Sequence, residues 1–193
     1  GSAFANPFLE AGRSAPVPGD YVPFNVQVID VAGPPRVFIA YAKSQPDPAD
    51  PTTFFAGEED AIAAADETLQ PDRGRVAMFD VDGNLVRAFA DDKRLNAPWG
   101  LAIAPASGFG PFNGALLVGN FGGKGRIAAF DVERGTFLGF MANGNGEPVD
   151  VWQSKDDLHS FLAVLPDGRL ASGGVDGRIK LWPADGKGEP VVL

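Results

Sequence analysis

Cysteine is absent from the 193-residue sequence, and histidine occurs once, as His159. Without cysteine the chain can form neither disulfides nor thiolate-based catalytic or zinc sites. A single histidine also rules out a three-histidine metal site within one chain. No hydrophobic stretch approaches the roughly 18 residues of a membrane helix, so we expect no membrane-spanning segment in this sequence.

Positive charge is scarce as well. The sequence has 16 lysine and arginine residues against 25 aspartate and glutamate residues, which gives a formal net charge of −9. Nucleic acids and anionic lipids attract basic surfaces, so this balance argues against nonspecific binding to either. Glycine (25) and proline (17) are abundant in a chain that is 45% hydrophobic. This composition is typical of many short strands joined by tight turns.

A short motif occurs three times: Gly-Arg followed by alternating small or β-branched and large apolar residues. The copies begin at Gly74, Gly125 and Gly177, at intervals of 51 and 52 residues. A regular period of this length indicates an array of equivalent structural units.

Each copy lies third in a predicted group of four strands in hairpin succession, which is the blade of a β-propeller. The sequence therefore predicts an all-β fold of three four-stranded antiparallel blades. Blade 1 is expected at residues 21–91, blade 2 at 95–143 and blade 3 at 158–193. Residues 1–20 are rich in proline and glycine, and we expect an N-terminal edge strand followed by a loop there.

Most of the net charge arises from an acidic insertion, residues 45–73, where Arg73 is the single basic residue. The alanine-rich middle, Glu58 to Leu69, has acids at its start and predicts a short helix. Such charge runs are usually solvated, but the insertion is longer than ordinary loops, so a site for cations or a basic partner is also considered. The candidate partner-binding residues are Asp47, Asp50, Glu58, Glu59, Asp60 and, in the polar linker before the last blade, Trp152.

The last unit resembles a WD40 blade. Residues 165–174 read Leu-Pro-Asp-Gly-Arg-Leu-Ala-Ser-Gly-Gly, and residues 176–182 read Asp-Gly-Arg-Ile-Lys-Leu-Trp. Pro183 replaces the acidic residue that usually ends this motif.

Residues 20 to about 143 resemble the second half of a family of exported bacterial six-bladed propellers. The matching segments include 21–27 (Tyr-Val-Pro-Phe-Asn-Val-Gln), 41–43 (Tyr-Ala-Lys), 95–102 (Leu-Asn-Ala-Pro-Trp-Gly-Leu-Ala) and 114–122 (Gly-Ala-Leu-Leu-Val-Gly-Asn-Phe-Gly). The resemblance implies a propeller fold and a periplasmic or extracellular location, although no signal peptide is visible in the sequence. It implies no reaction, because the family has no settled activity.

Three blades are too few for a closed ring, since propellers have about four to eight. An arc of three blades would expose apolar faces at both ends. We therefore predict that the ring is completed by another chain. A twofold dimer would give six blades, and residues 1–12 would add an outer strand to a neighbouring blade.

Two local groups of residues suggest chemistry, but simpler interpretations compete with each. Asp80 to Asn84 begins like a calcium loop, yet Leu85 and Asp91 stand where an EF-hand requires glycine and glutamate, so a hairpin turn is favoured. His159 lies beside Ser160, but adjacency in sequence does not define a catalytic triad. We therefore assign no catalytic residue and favour a protein that is not an enzyme.

Three functions remain in competition. The first is a noncatalytic binding or scaffold module that presents its loops and channel to a partner. The second is a divalent-metal-dependent hydrolase resembling sugar lactonases, with a cation such as Ca²⁺ in the propeller channel. The third is a subunit of a larger assembly that docks through open blade edges. The candidate metal ligands for the second are Asn25, Asn96, Asn120 and Asp150.

Overall fold

A computed structural model describes residues 4–31, 33–50, 52–57, 72–89, 93–122, 125–142, 145–148, 159–174, 177–185 and 189–193. Within these ranges the secondary structure consists of strands and a single 3₁₀ turn, Gly110–Phe112. In chain order the strands are β1 (Tyr21–Asp30), β2 (Pro35–Pro46), β3 (Phe54–Ala56), β4 (Gly74–Phe79), β5 (Leu85–Ala88), β6 (Pro98–Ile103), β7 (Leu116–Asn120), β8 (Ile127–Phe130), β9 (Phe137–Phe140), β10 (His159–Val164), β11 (Leu170–Gly174), β12 (Ile179–Trp182) and β13 (Val191–Val192).

The strands form three antiparallel sheets. The first has the order β1-β2-β4-β5, the second β6-β7-β8-β9 and the third β10-β11-β12-β13. Each sheet is a four-stranded succession of neighbours, and the first carries β3 as an additional partner of β2. The predicted all-β class with three four-stranded antiparallel blades is confirmed.

The three Gly-Arg copies are equivalent in the structure, because they open or immediately precede the third strand of each sheet, β4, β8 and β12. Gly74 shows why glycine is needed in the first copy. A Cβ at this position would lie 2.5 Å from Cδ of Pro98 and 2.9 Å from Cβ of Leu95. The backbone of β4 therefore approaches the start of the second sheet more closely than any side chain would allow.

The sheets are stacked with their first strands next to one another, since β6 contacts both β1 and β10. Successive residues of a strand point to opposite faces of its sheet. In the second sheet, one set of alternate residues therefore packs into the core shared with the first sheet, and the other set packs into the core shared with the third sheet. Leu116 and Val118 pack towards the first sheet, whereas Leu117 packs towards the third. Every residue of β7 and β8 is buried, so the second sheet is covered on both faces. This is the arrangement of consecutive propeller blades, with the first strand of each innermost.

The N-terminal prediction is wrong over the described residues 4–20, which form turns and bends instead of an edge strand. Phe4 has a φ of 58°, outside the strand region. The Asn6 side chain accepts a hydrogen bond from the backbone N–H of Phe8 at 3.0 Å, which closes a turn. The segment instead lies on the first sheet, where the Phe8 ring packs edge-on against Tyr41 at 5.1 Å.

The acidic insertion contains more structure than the predicted exposed loop. The second strand continues to Pro46, and β3 pairs with it in the register Ser44 to Ala56 and Pro46 to Phe54. The predicted helix Glu58 to Leu69 lies outside the described residues.

Candidate functional site

Asn120, a predicted metal ligand, is fully buried and its amide is engaged in the fold. Its Oδ1 accepts the backbone N–H of Asn96 at 2.9 Å. Its Nδ2 donates to the carbonyl oxygens of Arg126 at 3.1 Å and Arg94 at 3.3 Å. The side chain therefore ties the segment before β6 to the connection between β7 and β8.

Asn25 is engaged in a similar way. Its Nδ2 donates to the carbonyl oxygen of Trp99 at 2.7 Å, and its Oδ1 accepts the N–H of Val26 at 2.9 Å. The structure brings Asn96 and Asn120 together but gives Asn25 other partners, and Asp150 lies outside the described residues. A calcium site needs six to eight converging oxygen atoms, whereas Oδ1 of Asn25 and Oδ1 of Asn120 each accept a backbone N–H, and the metal site stays a prediction. Within the described ranges no group of three or more acidic or histidine residues gathers around one point.

Asp47 and Asp50, two of the candidate partner-binding residues, shape the turn between β2 and β3. The Asp47 carboxylate accepts the N–H of Ala49 at 2.8 Å, and that of Asp50 accepts the N–H of Thr52 at 2.9 Å. The hydroxyl and backbone N–H of Thr52 hold the pKa of Asp50 below its usual value. Both acids thus have a local structural role, and their part in partner binding stays a prediction.

The remaining partner-binding candidates, Glu58, Glu59, Asp60 and Trp152, lie outside the described residues. The side chains of His159 and Ser160 are also outside them.

The segment from Asp80 to Asn84 is a hairpin turn, as predicted. Oδ1 of Asp80 accepts the N–H groups of Asp82 at 3.0 Å and Asn84 at 2.8 Å. Hydrogen bonds from the side chain and backbone of Asn84 lower the pKa of Asp80. The Asp80 carboxylate therefore accepts hydrogen bonds from residues of its own turn.

The outer face of the first sheet, which points away from the second sheet, is only partly covered. Phe8 lies over Tyr41, and Phe4 packs edge-on against Phe79 at 5.6 Å. Val26 and Val28 of the innermost strand lie on the same face and are each 62% exposed.

The third sheet also has an outer face, which points away from the second sheet. It is formed by the residues that alternate along each strand with the buried core residues. Leu162, Leu170 and Trp182 pack towards the second sheet. Their neighbours therefore point the other way, and a shallow apolar cavity of about 190 Å³ lies on this face. The outer-face residues are Ala163, Ala171, Ile179, Leu181 and Val191, of which Ile179 is 48% and Val191 61% exposed.

A different cavity, of about 290 Å³, lies where the first and second sheets diverge. Its walls include Met78 and Val132, and it also contains Arg36 and Arg87. Sequence reasoning missed this pair. Arg36 lies two residues before the buried Phe38, so strand alternation alone would have placed both on the face towards the second sheet.

No family model matches this chain. It is similar to uncharacterised proteins of Acanthamoeba polyphaga mimivirus. L690 is 35% identical over 144 residues, which are 74% of this chain and 32% of L690. R648 is 34% identical over 144 residues, which are 74% of this chain and 30% of R648. The chain thus spans about a third of the length of these curated relatives.

A solved Dos1 propeller aligns over 90% of this chain and 34% of its own, with 15% sequence identity and a TM-score of 0.49. The propeller-like arrangement described above rests on the strand order and stacking of this chain itself. Within the described ranges no helix has the length and apolar character needed to cross a membrane.

Proposed function

We propose that this chain is a noncatalytic binding or scaffold β-propeller subunit that assembles with another chain through the ends of its sheet stack. The observation that carries the proposal is the contrast between the second sheet and its two neighbours. The central strands β7 and β8 of the second sheet are buried on both faces, whereas the outer faces of the first and third sheets expose Val26, Val28, Ile179 and Val191. Apolar sheet faces of this kind are stabilised by a further layer.

The occupant that best fits these faces is a second copy of the chain. Within one chain, sheets pack face to face twice, the first sheet against the second and the second against the third. The same contact between the third sheet of one copy and the first sheet of another would continue the stack. Two such contacts related by a twofold axis give a ring of six blades.

The experiment is light scattering after size exclusion at micromolar concentration. We expect the wild-type chain to show a dimer and Ile179→Asp to be monomeric, because the substitution places a charge within the apolar contact. Leu138→Asp is the matched control. Leu138 lies on β9 at the edge of the second sheet. Its exposed fraction of 45% is similar to the 48% of Ile179. A wild-type monomer over the whole concentration range, or equal effects of the two variants, would exclude the proposal.

The hydrolase alternative has less support, because the side-chain amides of Asn25 and Asn120 are engaged in backbone hydrogen bonds. Export also stays a prediction, since the curated relatives supply no location.

A further inference from the structure

The cavity between the first and second sheets is lined by two arginines, Arg36 and Arg87, together with mostly apolar residues and Glu133. Arg36 and Arg87 share a face with Phe38 and Met78, because Phe38 pairs with Met78 and Met78 with Arg87 across the sheet. The rest of this face is the buried core between the two sheets. The two arginines therefore lie where that core opens to solvent.

Arg87 is held in place by the second sheet. Its Cγ and Cδ lie 3.2 and 2.9 Å from the position that a Cβ of Gly135 would occupy, so the aliphatic stem rests against the turn before β9. Long cationic side chains often cover apolar surface in this way and extend their charged group into water. Here, however, the Nε atom is buried and has no hydrogen-bond partner among the described residues.

Neither arginine of the pair forms a direct ion pair with a described residue. Arg36 acts on Asp80 as a more distant charge, and the exposed Glu133 lies at the rim of the cavity. A buried guanidinium N–H without an acceptor is unfavourable, and a carboxylate or phosphate oxygen is its best geometric match.

We propose that this cavity binds a small organic anion, with its carboxylate or phosphate group between Arg36 and Arg87 and a short apolar body against Met78 and Val132. The cavity volume of about 290 Å³ lies at the low end for ligand sites, so the ligand is small. The site lies on the inner side of the first sheet. It is therefore independent of the outer faces through which assembly is proposed.

The chain contains two methionines, and they provide a built-in control. Met78 lines the cavity, whereas Met141 is buried in the core between the second and third sheets. We suggest labelling both methyl groups with ¹³C and titrating the full chain with hexanoate, hexyl phosphate, inorganic phosphate and hexylamine. Hexanoate or hexyl phosphate is expected to shift the Met78 resonance saturably and leave Met141 unchanged, and comparison of the two distinguishes a carboxylate from a phosphate site. Hexylamine is expected to shift neither.

Arg87→Met keeps the stem that rests on Gly135 and removes the charge, so it is expected to weaken binding at least tenfold. Arg169→Met is the matched control, because Arg169 pairs with Asp167 in the third sheet, and binding should be unchanged. An unchanged Met141 resonance shows that the Arg87→Met variant is folded. If Arg87→Met does not fold, Arg36→Met is used in its place. The proposal is wrong if no anion shifts Met78, if hexylamine shifts it equally, or if the arginine variants bind as the wild-type chain does.

Discussion

Trp182 and Ser172 form a buried hydrogen bond inside the core between the second and third sheets. The indole N–H donates to the serine hydroxyl at 2.8 Å. Because a buried donor without an acceptor costs about 1–3 kcal/mol, Ser172→Ala is expected to lower the free energy of unfolding by about that amount. Urea unfolding followed by tryptophan fluorescence measures the change.

Val81→Ala serves as the control for this measurement. Val81 lies in the turn between β4 and β5, outside both proposed sites, and is 59% exposed, and surface substitutions usually change stability by about 0.5 kcal/mol or less. If Ser172→Ala is no more destabilising than Val81→Ala, the buried hydrogen bond does not contribute as described.

The variant Asn120→Asp distinguishes a structural role of the Asn120 amide from a role as a metal ligand. An aspartate would place a carboxylate oxygen against the carbonyl oxygens of Arg94 and Arg126, which now accept from Nδ2. We expect a loss of at least about 1–3 kcal/mol in the free energy of unfolding, and addition of Ca²⁺ should not restore it. If Ca²⁺ raised the melting temperature of the variant, Asn120 would belong to a cation site.

The sequence alone could not decide the role of these asparagines. Asn25, Asn96 and Asn120 lie near predicted strand ends, where an amide serves equally well as a ligand or as a cap for backbone groups. The choice depends on which backbone atoms come within about 3 Å, and the pairing of Asn120 with Asn96 joins residues 24 positions apart.

At the scale of elements, the segment of residues 4–20, here called the N-terminal cap, covers part of the outer face of the first sheet. Phe8 contacts both tyrosines of the chain, with ring centroids 5.1 Å from Tyr41 and 6.1 Å from Tyr21. An ion pair between Arg13 and Asp20 closes its last turns, with one bond at 2.8 Å. Burial of Tyr41 in this position raises its pKa.

The ion pair makes the cap sensitive to acid. The hydrogen bond from Arg13 lowers the pKa of Asp20 in the folded chain, so the pair stabilises the cap above the ordinary aspartate pKa of about 3.9. This contribution is lost as the pH falls through the lowered pKa. We therefore expect the ring resonances of ¹³C-labelled Tyr21 and Tyr41 to be constant from pH 5 to 8 and to shift only below about pH 4.

Asp20→Asn is the comparison for the acid titration. The variant lacks the charge that Arg13 binds, so the tyrosine resonances should already be shifted at neutral pH and show a smaller change in acid. A tyrosine transition between pH 5 and 8, or an acid step of the same size in Asp20→Asn, would show that another group controls the cap.

Sequence patterns predicted the repeated strands well and the capping elements poorly. The Gly-Arg copies identified β4, β8 and β12, because alternating apolar residues and tight turns are local signals. The short β3 follows three prolines and has only Phe54, Phe55 and Ala56, so its pairing depends on the extension of β2 beyond Lys43. The N-terminal cap was missed because Phe4 and Phe8 are fixed by contacts with Phe79 and Tyr41, far along the chain.

At the scale of the whole molecule, the two ends of the stack are unequal. The first sheet is partly covered by the cap, which leaves Val26 and Val28 exposed, whereas Ile179 and Val191 are exposed on the third sheet. A ring of two copies requires unlike faces to meet. A back-to-back dimer would instead join two third sheets and would not form a ring.

Native mass spectrometry of two variants with different isotopic masses tests this distinction most directly. Val28→Asp blocks the first-sheet face and Ile179→Asp blocks the third-sheet face. If unlike faces meet, each variant alone is monomeric, and a mixture at micromolar concentration forms a heterodimer through its one intact contact. A homodimer of Val28→Asp alone, or a wild-type chain that is monomeric at the same concentration, would contradict the proposed ring.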